Sequence, residues 1–151
     1  DVIILNRRGL LQLGAGTVLV AATPLVASAA PADVRNAQID LFGERPIREG
    51  RVRLKLPPIA ENGYSVPLDV EIDSPMTPDD YVKAVYLFAE RNPEPGVATF
   101  TFTPECGKAE ILTRVRLVDS QIVVAVAEMN DGAFFVGKGF SKISTGTGSC
   151  G

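Results

Sequence analysis

The chain has 151 residues, with 15 lysines and arginines against 18 aspartates and glutamates, a formal net charge of −3, and neither histidine nor tryptophan. Without histidine there is no Ser-His-Asp or Cys-His nucleophile pair, and most zinc and copper sites and the usual haem ligands are excluded, so neither a metal nor another cofactor is expected. A mildly acidic chain without a basic stripe is unsuited to nucleic acid.

Asn6-Arg7-Arg8-Gly9 runs into the apolar stretch from Leu10 to Ala22, Pro24 interrupts the pattern, and Ala27-Ser28-Ala29 supplies the small residues of a cleavage site. A charged start, an apolar middle and a small-residue exit make up an export signal. The arginine pair points to the twin-arginine route. Residues 1–29 are read as this signal, leaving no membrane segment after cleavage. The competing reading is an uncleaved anchor, but the apolar run falls short of the roughly 20 residues a spanning helix needs. Gly14-Ala15-Gly16 mimics the start of a dinucleotide fingerprint, yet no strand precedes it and it lies inside the signal. Without Asp1, Arg7 and Arg8 the remainder carries 13 basic and 17 acidic residues, a net of −4. It is long enough for one domain and too short for two.

Asp33 can cap a helix running to Phe42, with Val34, Ala37, Gln38 and Leu41 at helical spacing and Gly43 as its stop. The apolar stripe of Val34, Ala37, Leu41 and Phe42 is thin, so the helix is expected to lie on the domain or on a partner. The body then reads as β. Arg51 to Leu56 alternates strictly, and Leu68 to Ile72 does the same with carboxylates outward. Further strands are expected over 82–89, 98–103, 109–117, 122–127 and 133–143. Turn signals separate them at Glu61-Asn62-Gly63, Ser74-Pro75, Asn92-Pro93, Glu105-Cys106-Gly107, Asp119-Ser120 and Asn130-Asp131-Gly132. Seven short strands at this spacing predict an all-β, immunoglobulin-like β-sandwich spanning residues 30–143, with a short N-terminal helix. Ile122 to Ala127 is apolar on both faces, which implies that a partner or a packed helix covers its outer side.

Residues 144–151 form a flexible C-terminal arm in this reading. Thr145-Gly146-Thr147-Gly148-Ser149-Cys150-Gly151 has three glycines and no aliphatic or aromatic side chain to bury. With about seven residues beyond Ile143, each spanning up to roughly 3.3 Å, the Cys150 sulfur can travel some 20 Å. Gly146 and Gly148 act as hinges, and Gly151 clears space behind the sulfur. No catalytic residue is assigned, because nothing near Cys150 lowers its pKa and an unassisted thiol is only a few per cent thiolate at neutral pH. That deficit suits a carrier activated inside partner enzymes better than a catalyst. Cys106, in a turn between two strands, is a possible secondary thiol. Met76 and Met129 read as core filler. Asp79-Asp80, Glu128 with Asp131, and Arg114 with Arg116 read as a strand start, a turn bracket and a solvated strand face.

Ala60-Glu61-Asn62-Gly63, Asp73-Ser74-Pro75-Met76, Phe88 to Pro93, Arg114 to Leu117, Gln121 to Met129 and the glycine-flanked terminal cysteine together resemble the SoxY family. The resemblance implies a non-catalytic sulfur-carrier subunit of a periplasmic thiosulfate-oxidation system. It implies pairing with a SoxZ-like β-sandwich subunit and a covalently bound sulfur species on Cys150. SoxAX-like and SoxB-like enzymes, with a SoxCD-like enzyme as a further candidate, would load and process that cargo. The family arm ends Gly-Gly-Cys-Gly-Gly; here Ser149 replaces one glycine and the last is missing. The alternative reading is an exported immunoglobulin-like binding or structural module, stapled by a Cys106–Cys150 disulfide.

Overall fold

The computed structural model describes residues 31–144. The segment from Pro31 to Phe42 is helical (α1), and Gly43, at φ +75°, ends it by donating its N–H to the Ile39 carbonyl at 2.8 Å. The helix includes Asp33 in its first turn, so Asp33 is not the flanking cap that was expected. Proline is tolerated there because first-turn N–H groups have no intrahelical acceptor, which lets the helix begin at Pro31.

Nine strands follow: β1 (Ile47–Glu49), β2 (Val52–Lys55), β3 (Ile59–Ala60), β4 (Val66–Ile72), β5 (Val82–Ala89), β6 (Gly96–Thr101), β7 (Glu110–Val115), β8 (Gln121–Met129) and β9 (Phe134–Ile143). A short 3-10 turn, Pro104–Cys106, links β6 to β7. One sheet has the order β1-β9-β8-β5-β6, with β3 also pairing with β9, and the other has the order β2-β4-β7. The seven expected strands are present within a few residues of their expected bounds. The two additional ones, β1 and β3, are short parallel partners of opposite ends of β9.

The sheets meet through their alternating apolar faces. Val66, Leu68, Val70 and Ile72 of β4 are buried, and Val123, Ala125, Ala127 and Met129 of β8 belong to the same core. Each fully buried aliphatic side chain of this kind contributes about 1.5–3 kcal/mol. Met76 and Met129 are both buried in this core, as expected. β9 is notched on the inner side. A Cβ at Gly137 would lie 2.9 Å from Val52 Cγ1 and 2.8 Å from Leu54 Cδ1, so β2 can pack against β9 only because the side chain is missing.

The outer face of β8 is covered by the chain itself. Val124 and Val126 join Phe88 and Phe134 in a second cluster beneath Val34 of α1. Phe42 stacks on Phe134 with ring centroids 4.7 Å apart and tilts against Tyr86 at 5.3 Å. Of the expected helix stripe, Leu41 departs: it points outward and is half exposed. The result is the immunoglobulin-like β-sandwich with a short N-terminal helix predicted from the alternation pattern.

Candidate functional site

Cys150, Gly146, Gly148 and Gly151 lie outside the described residues, as does the expected export signal. The structure does describe where the C-terminal segment departs. At the end of β9, Lys142 N–H donates to the Pro58 carbonyl at 3.0 Å and Ser144 N–H to the Ala60 carbonyl at 2.8 Å. Ile143 N–H donates to Ser120 Oγ at 2.9 Å. Three consecutive N–H groups are thus held by β3, its preceding loop and the β7–β8 loop. The last described residue is anchored.

The surroundings of this root are built by Gly63. Leu117 donates its N–H to the Gly63 carbonyl at 2.7 Å. A Cβ on Gly63 would overlap the Leu117 carbonyl oxygen, 3.1 Å from the carbonyl carbon and 3.6 Å from Ile143 Cγ2. The approach requires glycine. Next to it the Arg116 guanidinium lies 5.3 Å from the ring centroid of Tyr64, a cation–π contact on a ring that is 77% exposed. Gly63, Tyr64, Arg116, Val118, Ile143 and Ser144 surround a shallow cavity of about 470 Å³.

A polar network stiffens the neighbouring loops. Gln121 is buried; its Oε1 accepts from Arg91 N–H at 2.7 Å, and its Nε2 donates to Asn92 Oδ1 at 3.0 Å and to the Asp119 carbonyl at 3.1 Å. Asn92 Nδ2 donates to the Arg116 carbonyl at 2.9 Å, and Asn92 Oδ1 also accepts from Val118 N–H at 3.2 Å. A buried network with its donors and acceptors paired orders the groups that form it. Of these residues, sequence reading named Arg116 only as a solvated strand face and assigned no role to Gly63, Tyr64, Ser120, Asn92 or Gln121. The turn signals at Glu61-Asn62-Gly63, Asn92-Pro93 and Asp119-Ser120 were the local hints.

Cys106 is exposed and unpaired at the last position of the 3-10 turn, and Thr103 Oγ1 is 4.0 Å from its sulfur. β6 ends and β7 begins beside it, whereas β9 ends level with Leu117, past the far end of β7. Cys106 and the root of the C-terminal segment therefore sit at opposite ends of the sandwich. Among the described residues, no group of three or more histidine, cysteine, aspartate or glutamate side chains can hold a metal, and no helix is long and apolar enough to cross a membrane.

One further titratable cluster lies on the helix-covered face. Glu128 accepts from Lys83 Nζ at 2.9 Å and from the Tyr86 hydroxyl at 2.9 Å. Burial pushes the Glu128 carboxyl up, but the two hydrogen bonds and the positive charges of Lys83 and Arg45 together outweigh it and hold the group below its ordinary value. Burial, followed by the bond to Glu128, pushes the Tyr86 hydroxyl up. The cluster braces the sheet under α1 and lines no route to the root.

The profile of the SoxY family, described as sulfur oxidation protein SoxY, matches residues 38–150. The chain belongs to the SoxY family. Among solved structures, it is similar to the sulfur carrier protein SoxY from Chlorobium limicola f. thiosulfatophilum, at 28% identity and a TM-score of 0.64, covering 75% of this chain and 97% of that one. A superoxide reductase (neelaredoxin) from Ignicoccus hospitalis matches at 12% identity and TM-score 0.55, covering 62% of this chain and 80% of its own. The superoxide reductase from Nanoarchaeum equitans matches at 11% and 0.53, covering 63% and 99%. At such identities the likeness to the two reductases is one of fold alone. The search of curated proteins returned no match. Membership of the SoxY family accords with the resemblance carried by the motifs between Ala60 and the terminal cysteine.

Proposed function

We propose that this SoxY-family chain is a non-catalytic carrier of sulfur intermediates, and that Cys150, on a flexible arm rooted at Ser144, is the residue that bears them. The observation that carries the reading is the extent of the family match, which runs through the sandwich and on to residue 150. The related Chlorobium protein is itself described as a sulfur carrier. In the proposed cycle, the Cys150 thiolate and thiosulfate join to give Cys-S-S-SO₃⁻, releasing two electrons to a haem-bearing, SoxAX-like partner. A SoxB-like hydrolase then adds water across the sulfane–sulfonate bond, releasing hydrogen sulfate and leaving a persulfide. A SoxZ-like subunit pairs with the domain, and the whole cycle runs in the periplasm after export by the twin-arginine route. Hydrogen bonds at residues 142–144 fix the root of the arm, so freedom would be confined to the segment that must enter partner active sites.

The alternative, a module stapled by a Cys106–Cys150 disulfide, fits the topology poorly. From Leu117 back to Glu110 a strand rises about 23 Å, and Cys106 lies past that end. Six residues from Ser144 to Cys150 reach at most about 20–22 Å. Even with the roughly 4.4–6.8 Å a disulfide adds between Cα atoms, the segment would have to lie fully extended along the sandwich.

The test is intact mass measured without reductant after exposure to thiosulfate in the reconstituted system. Wild type and Cys106→Ser should gain the mass of a thiosulfonate group, and Cys150→Ser should not. Cys150→Ser should also abolish sulfate release while leaving thermal unfolding unchanged. Loss of loading in Cys106→Ser with retention in Cys150→Ser would move the chemistry to the other thiol and refute the proposal.

A further inference from the structure

An asparagine followed by glycine can lose its side-chain amide without an enzyme. The backbone nitrogen of the glycine gives up its proton to hydroxide and attacks the asparagine Cγ, and ammonia leaves. Water then opens the resulting succinimide ring at either carbonyl. Ammonia is exchanged for water and no electrons move. The product is aspartate or isoaspartate, and in isoaspartate the backbone runs through the former side chain and is one carbon longer. Three conditions favour the step: no Cβ to crowd the attacking nitrogen, an N–H and a side-chain amide not tied to other groups, and a Cγ carbonyl polarised by a hydrogen bond.

The described residues include four asparagines, and the fold shields three of them. Asn36 lies inside α1, where the next N–H belongs to the helical ladder. Asn92 precedes Pro93, which has no N–H to give up, and its amide is engaged with Arg116 and Gln121. Asn130 is pinned through both polar atoms, accepting from Tyr81 N–H at 3.2 Å and donating to the Asp79 carbonyl at 3.0 Å. The Asp131-Gly132 pair has the same spacing, but Gly132 N–H is committed to the Met129 carbonyl at 3.0 Å, and a carboxylate is a poorer electrophile than an amide.

Asn62 meets all three conditions. It is exposed and precedes Gly63. Neither its Nδ2 nor the Gly63 N–H has a partner among the described residues. Its Oδ1 accepts from Tyr64 N–H at 3.1 Å, which draws electron density away from Cγ. We infer that Asn62-Gly63 is a deamidation site in the folded protein, and that its conversion to isoaspartate unfastens the root of the C-terminal segment. The Gly63 carbonyl accepts from Leu117 N–H at 2.7 Å, and the two backbones lie so close that a Cβ on Gly63 would overlap the Leu117 carbonyl oxygen. An extra backbone carbon just before Gly63 has to be absorbed between Ala60, paired with Ile143, and Val66, paired with Val115. Displacing Gly63 from Leu117 absorbs it. The chemistry is independent of the sulfur-carrying role proposed for Cys150.

The test incubates the full wild-type chain with reductant at mildly alkaline pH, folded or unfolded in urea. Samples are withdrawn for peptide mapping by mass spectrometry and for methylation by a protein isoaspartate methyltransferase. In the folded protein the peptide holding Asn62 should take on the mass of the acid and become a methyl acceptor. Its rate should rise with pH and lie within about tenfold of that in the unfolded chain, because the fold adds little to the barrier. Asn36, Asn92 and Asn130 should stay intact in the folded protein. The converted protein should melt about 2–6 °C lower, the cost of one lost backbone hydrogen bond. Asn62→Asp, which adds the same charge without lengthening the backbone, should melt close to the parent. Conversion of Asn62 only in the unfolded chain, or equally fast conversion of Asn130 in the folded one, overturns the site. An unchanged melting temperature after conversion, or an equal loss in Asn62→Asp, overturns the unfastening of the root.

Discussion

Replacing Gly63 by alanine tests the account of the arm root most directly. The new methyl group would overlap the Leu117 carbonyl oxygen, a backbone atom that cannot rotate away. The loop cannot retreat as a unit, because Ala60 pairs with Ile143 on one side of it and Val66 pairs with Val115 on the other. Relief therefore requires breaking the 2.7 Å bond from Leu117 N–H to the Gly63 carbonyl. A lost backbone hydrogen bond costs about 0.5–1.5 kcal/mol and the forced displacement about 1–3 kcal/mol, so a loss of roughly 2–4 kcal/mol is expected. For a domain of this size that lowers Tm by about 8–16 °C. Gly96→Ala is the matched control, since nothing lies within 4 Å of its Cβ position and its φ is not positive. Thermal unfolding of both variants, followed by circular dichroism, provides the comparison. Equal melting temperatures for Gly63→Ala and Gly96→Ala would refute the argument that the root is built on a glycine contact.

Two further outcomes follow from the helix-covered face. Phe134→Ala removes a buried ring that stacks on Phe42, and should cost about 3–5 kcal/mol in urea unfolding while exposing α1 to limited proteolysis. Unfolding without any earlier cleavage in residues 31–45 would show that α1 is held by something else. Glu128, held below its ordinary value of 4.5, contributes stability that is present above that value and is lost as pH falls through the lower folded value. Lys83→Met should therefore destabilise the protein near neutral pH and do so progressively less toward about pH 3. A destabilisation of equal size at both ends of that range would mean that Lys83 acts through packing rather than charge.

Much of the sandwich was legible because strand burial has a period of two. In Leu68-Asp69-Val70-Glu71-Ile72 the apolar residues face the core, and the carboxylates face Lys55, Arg53 and Lys108 on the outside. The expected strand over 82–89, an apolar run set off by turn signals rather than an alternating one, has its expected bounds in the structure. The apolar run 122–127 was read as covered on both faces, which it is, but sequence left open whether a partner or the helix covers it. The structure assigns that role to α1, so this strand is no argument for a partner. Asp33 was misplaced as a cap because Ser, Thr, Asn and Asp also occupy first-turn positions, where the helix dipole favours a carboxylate.

β1 and β3 carried no signal of their own, since strands of two and three residues exist only through their pairing with β9. The chain by itself determined the β-sandwich, the family and the two thiols, all of which depend on residue type and local spacing. Only the tertiary structure decided that Gly63 meets Leu117, that Ser120 holds Ile143, and that Cys106 lies at the end opposite the arm root. Each of these joins residues or strands brought together by pairing and packing, and the free energy of such contacts depends on relative placement in space, which local sequence pattern does not encode.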